Sequence, residues 1–394
     1  MDIIEKPGLM EPLLPAEGTR SLEDLAVDLV ARAARLAGKL APETISSIST
    51  LVRSMNCYYS NLIEGHNTHP VDIERALRGE YSKEPKKRNL QIEALAHIAV
   101  QALLDDSASD LTDIVSRSKI QWLHREFCNR LPPSLLSSRD PRTDSEKHII
   151  PGALRDSEVL VGTHLAPVAR ELPKFFDLFE QRYDPANLSA VMRVLAVAAS
   201  HHRLLWIHPF LDGNGRVARL FSHAFFKSIG IGSGLWSVSR GLARNVDEDK
   251  NRLAAADMWR CDDTDGRGSL SLRALNEFCE FFLATCVDQV SFMETLLEPA
   301  LLIERARKYC AEQIESKVLH RGSFEVLREL ILSGAIPRAR LTSITGYQER
   351  QARKISASLI ANGLVRAASP KADLHLSIPH NAVEAWFPRL YPAV

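Results

Sequence analysis

The stretch that decides the fold is His208-Pro209-Phe210-Leu211-Asp212-Gly213-Asn214-Gly215-Arg216-Val217-Ala218-Arg219. It lies between two apolar stretches with helical spacing. The first covers residues 188 to 206 and is rich in Leu, Val and Ala, and the second carries apolar residues at 217, 220, 221, 224 and 225. Gly230 is a suitable end for the second helix. We therefore expect a tight turn from Asp212 to Gly215 that leads into a helix beginning near Asn214.

This turn has the composition of an anion site. Glycines let the backbone approach a ligand closely, and the free N–H groups of a helix start point at that ligand. Arg216 and Arg219 are three residues apart, so both lie on one side of the first helical turn and can reach the same phosphates. Asp212 lies at the mouth, where a carboxylate can hold Mg²⁺. His208 leads the loop as a candidate general base.

The whole run resembles the Fic-family motif, H-x-F-x-[DE]-G-N-G-R-x-x-R, and matches every fixed position. An ordinary Gly-Asn-Gly turn would need neither the leading histidine nor the second arginine. The resemblance implies a nucleotidyltransferase that transfers AMP from ATP to a protein hydroxyl, with Mg²⁺ as the metal ion.

The resemblance also implies a role for each motif residue. His208 would deprotonate the target hydroxyl, and Asp212 would hold Mg²⁺. The nucleotide phosphates would meet the remaining residues, the α- and β-phosphates at Gly213, Asn214, Gly215 and Arg216, and the γ-phosphate at Arg219.

A second signal lies at the end of a helix predicted from Pro42 to about Ile63. Ser60-Asn61-Leu62-Ile63-Glu64-Gly65 fits the pattern [ST]-x-x-x-E-[GN]. It resembles the inhibitory helix of Fic proteins, in which the Glu pairs with the second motif arginine and blocks productive placement of the γ-phosphate. A carboxylate in the last turn of a helix opposes the macrodipole, so Glu64 is expected to have a partner elsewhere. We therefore interpret Ser60, Glu64 and Gly65 as inhibitory residues, the alternative being a solvated helix end.

Two histidines follow Glu64 in a predicted loop, at positions 66 and 69. Together with Glu64 they could ligate a metal ion. Isolated loop histidines are more often simply exposed to solvent, and we favour that interpretation for His66 and His69.

Residues 132 to 168 break the helical pattern with several prolines and glycines. Within them, Gly152 to Arg155 and Val159 to His164 are predicted as two strands of a hairpin. This hairpin resembles the Fic flap, which clamps the target segment by adding a strand edge to edge. An ordinary surface hairpin is the alternative. On the flap interpretation, the nucleotide would be bordered by Val161, Gly162, Thr163 and His164.

One position departs from the family pattern. Many Fic proteins carry tyrosines that pack on the adenine, before a leucine in the segment after the motif helix. Here Asp249 and Lys250 stand at the comparable place before Leu253. What holds the base, and whether the donor is strictly ATP, therefore stays open.

Residues 320 to 394 are predicted to form three helices and a strand hairpin, a pattern typical of a winged helix. Residues 321 to 394 carry 10 Lys and Arg against 5 Asp and Glu, a net charge of +5. Arg350, Arg353 and Lys354 lie on the third helix, where a recognition helix would present them to DNA. The excess of charge is small, so we favour protein docking over DNA binding and leave both open.

The composition is that of a globular protein: of 394 residues, 45% are hydrophobic and 25% are charged. The net charge of zero gives no overall attraction to nucleic acid or to a membrane surface. The six cysteines are scattered without a C-x-x-C pair, which favours a reducing cytosol. Neither a signal peptide nor a run of about 20 apolar residues is expected. The sequence thus predicts a cytoplasmic protein without a membrane span.

The prediction is a mainly α protein in three segments. Residues 1–105 form an N-terminal helical region with the inhibitory helix, residues 106–319 a Fic helical bundle with a β-hairpin flap, and residues 320–394 a winged-helix domain. The predicted activity is a protein adenylyltransferase, autoinhibited by Glu64, whose partner is a target protein docked on the flap through a Tyr, Ser or Thr hydroxyl. A de-AMPylase and a nucleotide-sensing DNA-binding regulator are the alternatives, and homodimer formation stays open.

Overall fold

A computed structural model of the chain describes residues 4–106, 111–139, 146–232 and 234–391. These residues are mainly α-helical with a few short strands, as predicted. None of the helices in the described part of the chain combines the length and the apolar character needed to cross a membrane.

The α-helices of the described residues are α1 (Arg20–Ala37), α2 (Pro42–Ile63), α3 (Pro70–Leu77), α4 (Pro85–Asp106), α5 (Arg117–Cys128), α6 (Leu172–Tyr183), α7 (Ala190–Ile207), α8 (Asn214–Ser228), α9 (Ser239–Arg244), α10 (Val246–Ala256), α11 (Leu272–Leu296), α12 (Pro299–Glu315), α13 (Ser323–Ser333), α14 (Leu341–Thr345), α15 (Glu349–Ala361) and α16 (His380–Trp386). Helix α8 begins at Asn214, where the sequence predicts it.

The strands are short and antiparallel. They are β1 (Ser137–Arg139), β2 (Glu146–His148), β3 (Leu160–Val161), β4 (His164–Leu165), β5 (Ala335–Ile336), β6 (Val365–Arg366) and β7 (Leu374–Leu376). β1 pairs with β2, β3 pairs with β4, and the last three form a sheet in the order β5-β7-β6.

The predicted hairpin is wrong in its first strand. The structure has a tighter hairpin, β3–β4, in which Val161 faces His164 and Gly162 takes a φ of +60°. Residues 152 to 155 lie instead against the motif loop, where the backbone N–H of Arg155 donates to Pro209 O at 2.9 Å. A backbone N–H bonded to another loop is not available to a hairpin partner, which is why the strand pattern misled here.

The chain divides into two compact units. The larger comprises Met1–Ala31, Asn56–Ser233 and Ser237–Gln289, and the smaller comprises Arg32–Met55, Gly234–Trp236 and Val290–Val394. The last two turns of α2 thus belong to the unit that carries the motif. The boundaries of the three predicted segments stay predictions.

The core of the larger unit surrounds α7 and α8. These two helices contact each other, and α8 also contacts α4 and α5. Helix α7 begins after Ser189, whose hydroxyl accepts from Met192 N at 3.3 Å and so satisfies one unpaired donor of the first turn. Large side chains with no more than 2% of their surface exposed fill this core, among them Phe127, Phe175, Phe176, Phe179, Tyr183, Trp206, Phe210, Phe221 and Phe225.

The N-terminal arm is fixed to this core although it has little regular structure. The Tyr183 hydroxyl donates to Leu13 O at 2.5 Å. The guanidinium of Arg203, which is fully buried, donates to Pro12 O at 2.8 and 3.1 Å. Because buried carbonyls need donors, these side chains determine the path of a segment that has no periodic pattern of its own.

In the smaller unit, α13 and α15 contact a sheet of three strands, α14 contacts α13 and α15, and α12 contacts α13 and α16. The buried Thr44 hydroxyl in the first turn of α2 donates to Ile331 O at 3.2 Å. Arg350, Arg353 and Lys354 are exposed on α15.

Replacing Tyr183 with Phe removes the donor to Leu13 O and leaves that buried carbonyl without it. We expect the free energy of unfolding to fall by about 1 to 3 kcal/mol, the cost of an unsatisfied buried polar group. Urea unfolding would measure the change. Tyr81→Phe is the control, because Tyr81 is 46% exposed and its change should stay within about 0.5 kcal/mol. Equal effects of the two substitutions would contradict this account of the arm.

Candidate active site

His208 ends α7 in an unusual backbone conformation. Its φ of 47° and ψ of 63° lie in the left-handed region, which non-glycine residues adopt only where the surroundings fix them. Arg155 supplies that constraint, because its Nε donates to His208 O at 2.8 Å and its backbone N–H donates to Pro209 O at 2.9 Å. Sequence analysis missed this role of Arg155, since a lone arginine in a loop gives no signal of burial.

The environment of His208 keeps its imidazole neutral. Burial lowers the pKa of His208 to about 4, and the positive charge of Arg155 and the ring of His164 act in the same direction. Above that pH the ring carries a free lone pair. A proton can therefore be accepted from a nearby hydroxyl at physiological pH.

The loop between α7 and α8 is closed by the side chain of Asn214. Its Oδ1 accepts from Phe210 N at 3.0 Å, and its Nδ2 donates to Phe210 O at 2.9 Å. The Phe210 ring is fully buried and stacks on His124, with ring centres 3.9 Å apart and planes 3° from parallel. Gly213 takes a φ of +81°, which a glycine adopts at no steric cost. The Asn214 side chain thus shapes the loop from inside.

Asp212 is the one carboxylate of the motif, and it is exposed. Its side chain is 54% exposed, its Oδ1 accepts from Gly213 N at 2.7 Å, and its Oδ2 lies 3.5 Å from Arg216 Nη2. Mg²⁺ keeps several waters and is commonly bound by one or two carboxylates together with substrate phosphates. One exposed carboxylate beside an anion site fits that ion. The described residues contain no cluster of three or more His, Cys, Asp or Glu that could hold a metal by themselves.

The structure brings the predicted inhibitory residues to the second motif arginine. Arg219 is buried, and its Nε donates to Ser60 Oγ at 2.8 Å. Its Nη2 donates to Ser60 O at 3.1 Å and to Glu64 Oε1 at 2.5 Å. Gly65 follows with a φ of +81° and ends the helix. The guanidinium of Arg219 is thus bound by the last turns of α2.

The Glu64 carboxylate lies directly against the start of α8. A Cβ added to Gly215 would overlap Glu64 Oε1 and would lie 3.2 Å from Arg219 Nη1. Burial acts to raise the pKa of Glu64, but the ion pair and hydrogen bond with Arg219 outweigh it and hold the pKa below its usual range. The cradle therefore contains an ionised carboxylate at neutral pH.

Arg216 takes a different direction from Arg219. Its Nη1 is bound to Glu93 of α4, and its guanidinium carbon lies 4.9 Å from the centre of the Phe127 ring. The second oxygen of Glu93 is 2.8 Å from His66 Nδ1. The favoured interpretation of His66 as a simply exposed histidine is therefore wrong, whereas His69 is exposed. Sequence analysis did not identify Glu93, which lies 123 residues before Arg216.

The β3–β4 hairpin contributes two of the four residues that were predicted to border the nucleotide to the surroundings of His208. Val161 and Gly162 line a cavity of about 400 Å³ together with His208. Thr163 is exposed in the hairpin turn. His164 instead donates from Nε2 to Trp206 O at 2.8 Å. The other lining residues of this cavity are Ser138, Arg139, Lys147, Ser157, Glu158, Val159, Leu160 and Leu211.

Asp249 is a further buried group that interacts electrostatically with Arg219. It is 4% exposed, and its Oδ1 has no hydrogen-bond partner among the described residues. Burial raises the pKa of Asp249 to about 6, although the charges of Arg219 and Lys250 act against that rise. The position that departs from the family pattern thus holds a buried carboxyl within electrostatic reach of Arg219.

Comparison with known proteins agrees with this geometry. The model of the Fic/DOC family matches residues 114–226. The chain is 27% identical over 181 residues to the "Protein adenylyltransferase Fic" of Nematostella vectensis, an alignment that covers 44% of this chain and 37% of the relative. It is 34% identical over 79 residues to the protein of the same name from Drosophila erecta, covering 20% of this chain and 16% of that one. The chain thus spans less than half the length of these relatives.

Two solved structures show the same fold. A Fic family protein from Desulfovibrio desulfuricans has a TM-score of 0.50 at 16% identity, over 92% of this chain and 98% of that one. A Fic domain-containing signaling protein from Bacteroides thetaiotaomicron has a TM-score of 0.50 at 21% identity, over 68% and 95% of the two chains. Residues 114–226 of this chain are thus similar in sequence to the Fic/DOC family, and the described fold is similar to that of these two Fic proteins.

Proposed function

We propose that the protein is an adenylyltransferase that transfers AMP from ATP to a Tyr, Ser or Thr hydroxyl of a target protein and that Glu64 holds it inactive. The observation that carries this proposal is the position of the Glu64 carboxylate, which lies against Gly215 and is bound to Arg219. When a carboxylate of the chain occupies the anion site, the phosphates of ATP cannot bind there productively, as expected of an autoinhibited enzyme. The names of the two relatives support the same activity.

In the proposed reaction, the target hydroxyl oxygen attacks the α-phosphorus of ATP. A new P–O bond forms, the bond from the α-phosphorus to the bridging oxygen breaks, and pyrophosphate leaves with that oxygen. His208 takes the hydroxyl proton, for which its neutral ring is suited. The remaining work is positioning and charge neutralisation, since phosphoryl-type transfers need little covalent help from the protein.

Asp212 would hold Mg²⁺ at the mouth of the loop, and the ion would neutralise phosphate charge when bound. The N-terminus of α8 and the guanidinium of Arg219 would stabilise the remaining negative charge. While Glu64 occupies Arg219, the γ-phosphate would meet a carboxylate instead of a cation. The Glu64 carboxylate and the γ-phosphate are both negatively charged and would repel each other beside Arg219. Productive binding therefore requires the end of α2 to move.

The target segment would lie along β3. Leu160 and Val161 of this strand are 42% and 41% exposed, and both line the cavity beside His208. A strand added to this edge would form main-chain hydrogen bonds and bring one side chain toward His208. This arrangement offers apolar contact on the flap and a base at the reacting atom.

Glu64→Gly removes the carboxylate from the cradle and should raise protein labelling from α-³²P ATP roughly 5- to 150-fold, the range of ordinary regulatory coupling. His208→Ala in the same background should abolish it. Labelling from γ-³²P ATP should stay absent, because that phosphate leaves with pyrophosphate. Glu80→Gly is the control, since the Glu80 side chain is 61% exposed and should leave labelling unchanged.

Failure of the Glu64 variant to label any protein with Mg²⁺ and ATP would exclude the transferase.

One observation favours AMP removal as the second candidate: Glu64 lies close enough to His208 to influence its pKa. A carboxylate in that position can orient a water. Faster release of AMP from a modified target by the wild type than by Glu64→Gly would support the de-AMPylase instead.

The pH dependence of kcat/KM in the Glu64→Gly variant tests the role of His208. A group whose folded pKa is lowered to about 4 is already neutral at pH 6. The rate should therefore be level from about pH 6 to 8 and should fall only as the pH approaches about 4. A fall centred near pH 6.5, the ordinary histidine value, would contradict the environment described for His208.

We infer a winged-helix module in residues 320–394, with DNA as a candidate ligand beside protein docking. The observation in favour of DNA is a cleft of about 530 Å³ whose lining includes Arg338, Arg353 and Lys371. These three cations come from the short 3-10 turn before α14, from α15 and from the turn before β7. A cationic cleft of this kind suits a phosphate backbone.

Neutralising Arg350, Arg353 and Lys354 to Gln should abolish duplex-DNA retention, if DNA is the ligand. Retention by the wild type should weaken steeply with salt, since each phosphate contact releases counterions. Fluorescence anisotropy of a labelled duplex at several salt concentrations would measure it. Absence of salt-dependent retention by the wild type would leave protein docking as the role of this segment.

A further inference from the structure

We propose that His66 and Glu93 form a second hold on the inhibitory segment, at the first motif arginine, as Glu64 forms the first hold at Arg219. The proposal rests on the proposed inhibitory role of Glu64. It assigns a regulatory function to a histidine and to a glutamate that lie outside the motif.

The turn after α2 joins the two holds into one rigid piece. The N–H of Gly65 donates to Leu62 O at 3.0 Å, and the N–H of His66 donates to Asn61 O at 2.9 Å. With the φ of +81° at Gly65, these bonds form a Schellman end, which satisfies the last carbonyls of a helix. Glu64 and His66 are therefore fixed to the same helix end and should move together.

Glu93 connects His66 to Arg216. One of its oxygens accepts from Arg216 Nη1, and the other lies 2.8 Å from His66 Nδ1. The Glu93 side chain is 8% exposed and that of Arg216 is 6% exposed, whereas that of His66 is 38% exposed. A carboxylate as buried as Glu93 depends on its partners, because a buried charge without them is costly.

The electrostatic environment of this cluster favours the ionised form of Glu93 and the protonated form of His66. Burial acts to raise the pKa of Glu93, but His66 and Arg216 outweigh it and lower the pKa. The hydrogen bond to Glu93 raises the pKa of His66, with burial and Arg216 acting against it and Glu64 in favour. A protonated His66 therefore strengthens the hold.

The geometry couples the two arginines of the motif. Moving the end of α2 frees Arg219 from Glu64 and, in the same motion, takes one of the two partners from Glu93. Glu93 then has Arg216 alone. Inhibition should consequently depend on His66 even when Glu64 is intact.

The test compares the full-length wild type with His66→Ala, Glu64→Gly and the double variant. His69→Ala is the matched control, an exposed histidine three residues along the same loop. Two quantities are measured for each protein: the affinity for Mg²⁺–ATP by calorimetry, and protein labelling from α-³²P ATP.

His66→Ala should tighten Mg²⁺–ATP binding and raise labelling roughly two- to five-fold, the range that a half-exposed ion pair supports. The double variant should have the same affinity and labelling as Glu64→Gly, because the second hold positions a carboxylate that this variant lacks. His69→Ala should match the wild type. Wild-type values for His66→Ala, or additive effects in the double variant, would overturn the proposal.

Glu93→Gln keeps the shape of the bridge and removes its charge, so it breaks the second hold without truncating the histidine. It should also tighten Mg²⁺–ATP binding. Its thermal midpoint should fall, because buried Arg216 loses an ionised partner, and circular dichroism would confirm that the variant is folded. If Glu64→Gly labels nothing while His66→Ala still tightens nucleotide binding, the transferase fails and the second hold stands. If Glu64→Gly labels and neither His66→Ala nor Glu93→Gln differs from the wild type, the second hold fails alone.

Discussion

The ion pair between Glu64 and Arg219 is the contact on which the rest of the site depends. The start of α8 concentrates positive potential through its unpaired N–H groups, and the buried guanidinium of Arg219 adds a full charge beside them. Such a place attracts an anion. In this structure the anion comes from the chain itself, and Ser60 adds two further bonds to the same guanidinium. The length of α2 and the turn at Gly65 determine that the carboxylate arrives there.

The sequence predicted those parts of the site that depend on local pattern. The motif lies at a helix–loop–helix junction because apolar spacing on both sides predicts helices and the glycines between them predict a turn. The pairing of Glu64 with Arg219 was predicted from the family resemblance, whereas the unfavourable position of a carboxylate in a last helical turn predicted only that Glu64 has a partner elsewhere. The helix–loop–helix junction required no knowledge of how distant segments meet, whereas the pair of Glu64 and Arg219, 155 residues apart, was predicted only through the resemblance.

The parts that were missed depend on long-range contacts. Arg155 and Glu93 are ordinary charged residues in the sequence, and their importance comes from burial beside residues 53 and 123 positions away. The same reason explains the wrong strand at residues 152 to 155, where the backbone instead bonds to the motif loop. His66 was interpreted as exposed because its partner lies on another helix.

The absence of a side chain at Gly215 limits which substitutions can make such a protein constitutively active. The space left there accommodates the carboxylate of Glu64 and, in the proposed reaction, would accommodate a phosphate. Any larger residue at 215 would displace the Glu64 carboxylate and, in the proposed reaction, obstruct the phosphate as well. In the proposed scheme, a constitutively active form therefore cannot arise by filling this space. It would arise from changes that release the carboxylate, in α2 or in the residues that hold the end of α2.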